Sequence, residues 1–212
     1  MSEQPTIVVR GEAFREVPPE QAVLSVTLSA RDRDRETVLA RLLERSTELH
    51  ALLAEAGDAV DRRETGGVQV FPELKRGSER VVAFSGSVST SVTVTDFEPL
   101  GQLLLRLAGL EHAAVAGPWW QLRAGSRAGA EVRRDAIADA LSRAREYAAA
   151  VGAQVDKLVE IADEGLGGQP TMRAVAFDSA RESAGFDVDP QPQTVQATVT
   201  VRVTITEPDL TA

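Results

Sequence analysis

The sequence contains no cysteine, and this absence excludes several classes of protein. Without thiols the chain cannot be a disulfide-stabilised scaffold, use a cysteine nucleophile, or bind zinc or iron–sulfur clusters through thiolates. The two histidines, His50 and His112, are far apart in the sequence, so H-E-x-x-H and related metal-binding spacings are missing too. We therefore expect no metal and no other cofactor.

Basic charge and long apolar runs are also scarce. The chain has 23 Lys and Arg against 32 Asp and Glu, giving a net charge of -9. An acidic surface repels phosphate backbones, so we predict no nucleic-acid partner. No apolar run approaches the roughly 18 residues of a membrane span, and residues 1–5 lack the basic and apolar regions of a secretory signal. These features predict a cytoplasmic protein without a membrane span.

The length of 212 residues and an apolar content of 43% fit one globular domain. We predict a single domain over residues 1–212, with its core between about 6 and 206. The stretch 165–193 is rich in glycine and proline and shows no regular period, so we expect an irregular, exposed loop there.

Strict alternation of apolar and polar residues is the strongest structural signal. In residues 194–206, valine, alanine and isoleucine occupy one face, and threonine, glutamine and arginine occupy the other. A period of two predicts a strand with one buried and one wet face. Weaker versions predict strands at 7–14, 22–30, 68–71, 81–94, 113–123 and 157–162. One-sided alternation favours an antiparallel sheet that is covered on one face.

Three segments show helical periodicity, at 35–56, 97–107 and 128–151. The predicted apolar stripe of the first is Val38, Leu39, Leu42, Leu43, Leu49, Leu52 and Leu53. We expect Asp96 to cap the second. The predicted inner face of the third is Ile137, Ala140, Leu141, Ala144, Ala148 and Val151. The predicted class is therefore α+β, a mostly antiparallel sheet with long amphipathic helices packed on one face.

Several short patterns resemble functional motifs but lack the partner residues that those motifs need. The Asp187-x-Asp189 pair lacks the glycine and distal glutamate of a calcium loop. The glycine-rich stretch 165–168 is not followed by lysine at phosphate-loop spacing. The serines at 85, 87, 89 and 91 have no G-x-S-x-G motif around them. We interpret these patterns as a solvated loop, a turn and a hydroxyl-lined strand face, and predict that the chain is not an enzyme.

The adjacent tryptophans are the strongest candidates for contact with a partner. Neighbours in a strand point to opposite faces, so Trp120 is predicted to lie in the core and Trp119 on the other face. An exposed tryptophan is typical of an interface. The predicted interface residues are Trp119, Gln121, Arg123, Phe177 and Phe186.

The order of these elements, with their local motifs, resembles the SIMPL-domain family. The motifs are Ile-Val-Val-Arg-Gly-Glu-Ala at 7–13, Val-Pro-Pro-Glu-Gln-Ala at 17–22, Thr65 before Val-Gln-Val-Phe-Pro at 68–72, Val-Thr-Val-Thr-Asp-Phe at 92–97, and the alanines at 136, 140, 144 and 148 with Gly152 beyond. The resemblance covers roughly residues 6–206. It implies an α+β fold, ring-like homo-oligomers in some bacterial members, and proposed stress-protection or adaptor roles. It supplies no catalytic residues.

The leading interpretation is a non-enzymatic protein that self-associates as a homo-oligomer or binds a protein partner through sheet edges or the Ser/Thr face. The alternative is a carrier for a small ligand or peptide. Its cleft would lie between the sheet and the 165–193 loop, lined by Trp119, Phe177 or Phe186. A hydrolase with an unrecognised carboxylate or serine site is the third interpretation.

Overall fold

The computed structural model describes residues 4–163 and 186–209. These residues form two compact units. Unit 1 contains residues 4–18, 123–163 and 192–209, and unit 2 contains residues 19–122 and 186–191. The elements, in chain order, are β1 (Thr6–Val17), β2 (Gln21–Asp32), α1 (Arg35–Glu55), β3 (Val60–Leu74), β4 (Val81–Val94), α2 (Leu100–Ala108), β5 (Ala113–Gln121), α3 (Ala128–Ala150), β6 (Val155–Asp163) and β7 (Gln193–Ile205).

The predicted class is confirmed, because helices accompany strands that all pair antiparallel in the described residues. The strands divide between two sheets, where the sequence predicted one. The order is β1-β7-β6 in unit 1 and β3-β4-β2-β5 in unit 2. That residues 1–212 fold as a single domain stays a prediction.

In unit 1, α3 packs on one face of the sheet through very small side chains. β1 and β7 pair from Thr6 opposite Thr204 to Val17 opposite Gln193 without a shift in register. A Cβ atom on Gly11 of β1 would lie 2.1 Å from the carbonyl oxygen of Ala136 on α3. Buried small residues, one helical turn apart, therefore allow this close approach: Ala136, Ala140, Ala144 and Ala148.

Two details of unit 1 differ from the predictions. Ile137, Leu141 and Val151 are only partly buried, because the closest contact with the sheet follows the alanine row. On β7, Thr198 and Thr204 are buried although their face was predicted to be wet. The Thr204 hydroxyl accepts a hydrogen bond from the backbone N–H of Lys157 (3.1 Å), beside a register shift in β6. That bond offsets the cost of burying the hydroxyl.

In unit 2, α1 and α2 cover one face of the four-stranded sheet. The alternate residues of β2 that face these helices are at most 6% exposed, and the core around them is apolar. The buried β2 residues are Ala22, Leu24, Val26, Leu28 and Ala30.

Three predictions for unit 2 are wrong in detail. Leu39 and Leu43 of the predicted α1 stripe are 44% and 71% exposed, because the apolar arc is wider than the surface that the sheet covers. Asp96 does not cap α2, which begins at Leu100 with Pro99 in the cap position; Asp96 instead accepts a hydrogen bond from the backbone N–H of Glu98 (3.1 Å). Strand β3 continues through Pro72, which an edge strand tolerates.

Candidate interaction surface

The face of the unit 2 sheet opposite α1 and α2 is lined with hydroxyl groups. Residues directly opposite in an antiparallel pair share a face, and the serines and threonine of β2 lie opposite serines of β4. This face alternates with the buried face along both strands, as the serine pattern predicted. The separation of hydroxyls from core residues is incomplete, because Thr90, opposite the core residue Val26, and Thr93 are both buried. We call this surface the hydroxyl face: Ser25, Thr27, Ser29, Ser85, Ser87, Ser89 and Ser91.

A charged cluster lies at one corner of the hydroxyl face. The Arg31 guanidinium donates to both carboxylate oxygens of Glu73, with Nε to Oε1 at 3.0 Å and Nη2 to Oε2 at 2.7 Å. The Ser85 hydroxyl donates to Oε1 of the same carboxylate. Hydrogen bonds from Arg31 and then from Ser85 lower the pKa of Glu73 to about 2, while Glu73 raises the pKa of Arg31.

This cluster predicts a specific dependence of stability on pH. Because the pKa of Glu73 falls from 4.5 to about 2 in the folded chain, its stabilisation is complete above pH 4.5 and disappears as the pH falls toward 2. As the pH is lowered through that interval, we therefore expect the free energy of unfolding to fall less for Glu73→Gln than for the wild type. Urea denaturation at each pH measures this. Glu79→Gln, in the loop between β3 and β4, is the control. An unchanged pH profile for Glu73→Gln would contradict the assignment.

The β3–β4 hairpin extends beyond the rest of its sheet. β2 ends at Asp32 opposite Phe84, so residues 73–83 continue as a two-stranded ribbon, which we call the hairpin arm. Its exposed apolar residues are Leu74 (55%), Val81 (43%) and Val82 (42%). The connecting loop, residues 75–80, carries Lys75, Arg76 and Arg80 against the single acid Glu79.

Strand β6, at the edge of the unit 1 sheet, carries exposed apolar residues and more acidic than basic ones, whereas the loop of the hairpin arm is basic. Leu158, Val159 and Ile161 are between 45% and 55% exposed, because α3 packs mainly on β1 and β7. The strand also carries Asp156, Glu160 and Asp163 against the single base Lys157. The Glu160 carboxylate pairs with Arg202 on β7 at 3.3 Å.

The predicted interface residues occupy several parts of the fold. Trp120 is 8% exposed and meets Phe97 edge-on at 4.9 Å, as predicted for a core residue. Trp119 is half-buried on β5 opposite Val23, and Gln121 accepts a hydrogen bond from Nε2 of Gln21 (3.3 Å).

The other three predicted interface residues follow β5 in the sequence. Arg123 is exposed but belongs to unit 1. Phe186 is 42% exposed, and its backbone crosses α2 at Gly101, where a Cβ atom would lie 2.2 Å from the Phe186 carbonyl oxygen. Phe177 lies outside the described residues, as does most of the predicted 165–193 loop. No observation tests the predicted role of these residues in an interface.

Sequence reasoning missed the hairpin arm, although a signal was present. Two short apolar segments, ending at Leu74 and beginning at Val81, flank a polar loop that contains Gly77, a pattern typical of a hairpin. Gly77 has φ +74°, which glycine adopts without strain.

The two histidines and three further acidic residues lie at the surface in the described parts of the chain. His50, His112, Asp156, Asp187 and Asp189 are all exposed. No group of three or more His, Asp or Glu side chains within residues 4–163 and 186–209 is arranged to hold a metal ion. No helix in the same ranges is both long enough and apolar enough to cross a membrane.

Comparison with known proteins agrees with the resemblance found in the sequence. No curated protein matched the chain. The family model SIMPL, described as a protein of unknown function (DUF541), matches residues 7–203. This match spans both units, from Ile7 in β1 to Val203 in β7. The chain therefore belongs to the SIMPL family.

Proposed function

We propose that this SIMPL-domain chain is a non-enzymatic protein that self-associates, with the hairpin arm of one copy packing against strand β6 of the next. The observation that carries the proposal is the position of the exposed apolar side chains. Six of them lie on these two surfaces: Leu74, Val81, Val82, Leu158, Val159 and Ile161.

The apolar residues supply the expected driving force. Full burial of a valine, leucine or isoleucine side chain stabilises by about 1.5–3 kcal/mol. Each of the six residues is roughly half exposed, so contact with a second copy would bury further apolar surface. A two-stranded ribbon is marginally stable without further packing. The arm would therefore gain stability from packing against a second copy.

Charge complementarity favours a second copy over an unrelated partner. The loop of the arm has three basic residues and one acidic residue, whereas β6 has three acidic residues and one basic residue. Because the two surfaces differ, the contact would be heterologous, and repeated contacts of this kind close into rings or extend as filaments. A closed ring agrees with the assembly that the family resemblance implies.

Charged substitutions at the two surfaces test this contact. We expect Val82→Glu and Ile161→Glu each to convert the assembly into monomers, since either variant would bury an unpaired carboxylate. Sedimentation velocity measures the masses, and circular dichroism verifies that each variant is folded. Leu43→Glu, at a leucine on α1 that is 71% exposed, is the matched control and should leave the assembly intact.

Two outcomes would contradict the proposal. The first is a wild-type chain that sediments as a 22.7 kDa monomer at every concentration. The second is an assembly that survives both Val82→Glu and Ile161→Glu but is disrupted by Leu43→Glu, which would place the contact on α1.

Trp119, Gln121, Arg123, Phe177 and Phe186 stay predicted as additional contact residues, and the stress-related or adaptor role and the cytoplasmic location also stay predictions. The carrier alternative depends on the 165–193 loop, most of which lies outside the described residues.

A further inference from the structure

One end of strand β2 pairs with β4 on one side but has no strand on the other side. β5 pairs with β2 only as far as Leu28 opposite Ala113, whereas β2 continues to Asp32. The next backbone groups of β2 find other partners. The N–H of Ser29 donates to the carbonyl of His112 (3.0 Å), and the carbonyl groups of Ser29 and Arg31 accept from two arginines of α1, Arg45 and Arg41.

Gly86, on the neighbouring strand β4, allows α1 to lie close enough for these two arginines to reach β2. A Cβ atom on Gly86 of β4 would lie 2.7 Å from Cγ1 of Val38 and 2.8 Å from Cδ1 of Leu42. The helix therefore packs closely on the sheet at this point. Arg41 and Arg45, on α1 with Val38 and Leu42, can consequently reach the uncovered end of β2.

A cavity of about 410 Å³ lies at this end of β2, and its lining includes three arginines. This volume is within the range of roughly 300–1,000 Å³ found for small-molecule sites. Hydroxyl groups and one aromatic ring complete the lining. The residues that carry its chemistry are Ser29, Arg31, Arg41, Arg45, Phe71 and His112.

The charges in the cavity do not cancel. Arg31 is paired with Glu73 at 2.7 Å, and Arg41 with Asp32 at 2.9 Å. Within the described residues, Arg45 has no ion pair with a carboxylate and donates only to the neutral carbonyl of Ser29. In a chain with a net charge of -9, this is a local excess of positive charge with unused guanidinium N–H donors.

We propose that this cavity binds a small organic anion, whose phosphate or carboxylate group is held by Arg45 together with Arg41. An arginine guanidinium can donate two parallel hydrogen bonds to either kind of group. The exposed ring of Phe71, which lies opposite Ser85 on the hydroxyl face, would contact an apolar or aromatic part of the ligand. This site is independent of the contact between the arm and β6.

Isothermal titration calorimetry with phenyl phosphate, benzoate and neutral benzyl alcohol tests the site. We expect saturable binding of at least one anion and none of the alcohol, and the tighter anion identifies the preferred headgroup. Arg45→Gln should weaken that binding by about tenfold or more, because it removes a charge-assisted hydrogen bond. Arg35→Gln removes the same charge from an exposed position on α1 outside the cavity and should leave the affinity unchanged.

Arg45→Lys keeps the charge but loses the planar fork, so we expect an affinity between those of the wild type and Arg45→Gln. It also provides a second test if Arg45→Gln unfolds. The proposal would be overturned if neither anion binds the wild type, or if benzyl alcohol binds as well as the anions. Equal weakening by Arg35→Gln and Arg45→Gln would overturn it too, because that result indicates general surface attraction.

Discussion

Gly11→Ala is expected to destabilise unit 1 by about 3 kcal/mol, near the upper end for inserting one methyl group into a packed site. The new Cβ would lie 2.1 Å from the carbonyl oxygen of Ala136 and 2.6 Å from Cβ of Ala140. Neither neighbour is the end of a flexible side chain, so α3 as a whole must move away from β1. Hydrogen exchange of peptides from α3 measures the effect, because both tryptophans lie in unit 2 and their fluorescence does not report on unit 1.

The control for this substitution is Gly67→Ala in β3. Nothing lies within 4 Å of the Cβ position at Gly67, so we expect a change within about 0.5 kcal/mol. If Gly11→Ala has as small an effect as Gly67→Ala, α3 does not pack on β1 as closely as described.

Leu49→Ala is the second substitution with a large expected effect, a loss of about 3 kcal/mol from the free energy of unfolding. Leu49 is fully buried between α1 and its sheet, and truncation removes apolar contacts and leaves a cavity. Urea denaturation followed by tryptophan fluorescence measures the loss, since Trp120 belongs to the same core.

Leu43→Ala makes the same chemical change on the same helix at a residue that is 71% exposed. We expect it to cost less than about 0.5 kcal/mol. Equal losses for Leu43→Ala and Leu49→Ala would mean that α1 presents a different face to the sheet.

These two helices also illustrate how far periodicity predicts packing. The period of α1 places Leu39 and Leu43 beside buried residues, but the sheet covers a narrower arc and leaves both exposed. In α3 the predicted face correctly included Ala140, Ala144 and Ala148, but it also included Ile137 and Leu141, which are only partly buried. Small size matters more than hydrophobicity where the helix lies closest to the sheet. Periodicity identifies a helix face only approximately, because the facing surface decides which residues are buried.

The strands were predicted best where alternation is strict. The limits of β4 agree with the prediction at residues 81–94, and β7 differs from it by one residue at each end. β3 was predicted only at 68–71. Most of its fifteen residues are exposed, so its sequence does not alternate between buried apolar and exposed polar residues. The division into two sheets could not be predicted, since local patterns do not encode which strands pair.

The candidate surfaces were predictable to different degrees. Alternating serines indicated the hydroxyl face directly. The hairpin arm depends on β3 and β4 extending beyond the end of β2, and the arginine-lined cavity depends on α1 packing beside Gly86. Both features depend on the relative lengths of paired strands and on packing between distant segments, so they cannot be predicted from any single segment of the sequence.

Hydrogen–deuterium exchange at low and high protein concentration tests whether a second copy covers the hairpin arm. We expect amides in residues 73–83 and in β6 to exchange more slowly as the concentration rises, while amides in the N-terminal turn of α1 are unaffected. Exchange in the arm and in β6 that is fast and identical at all concentrations would contradict it.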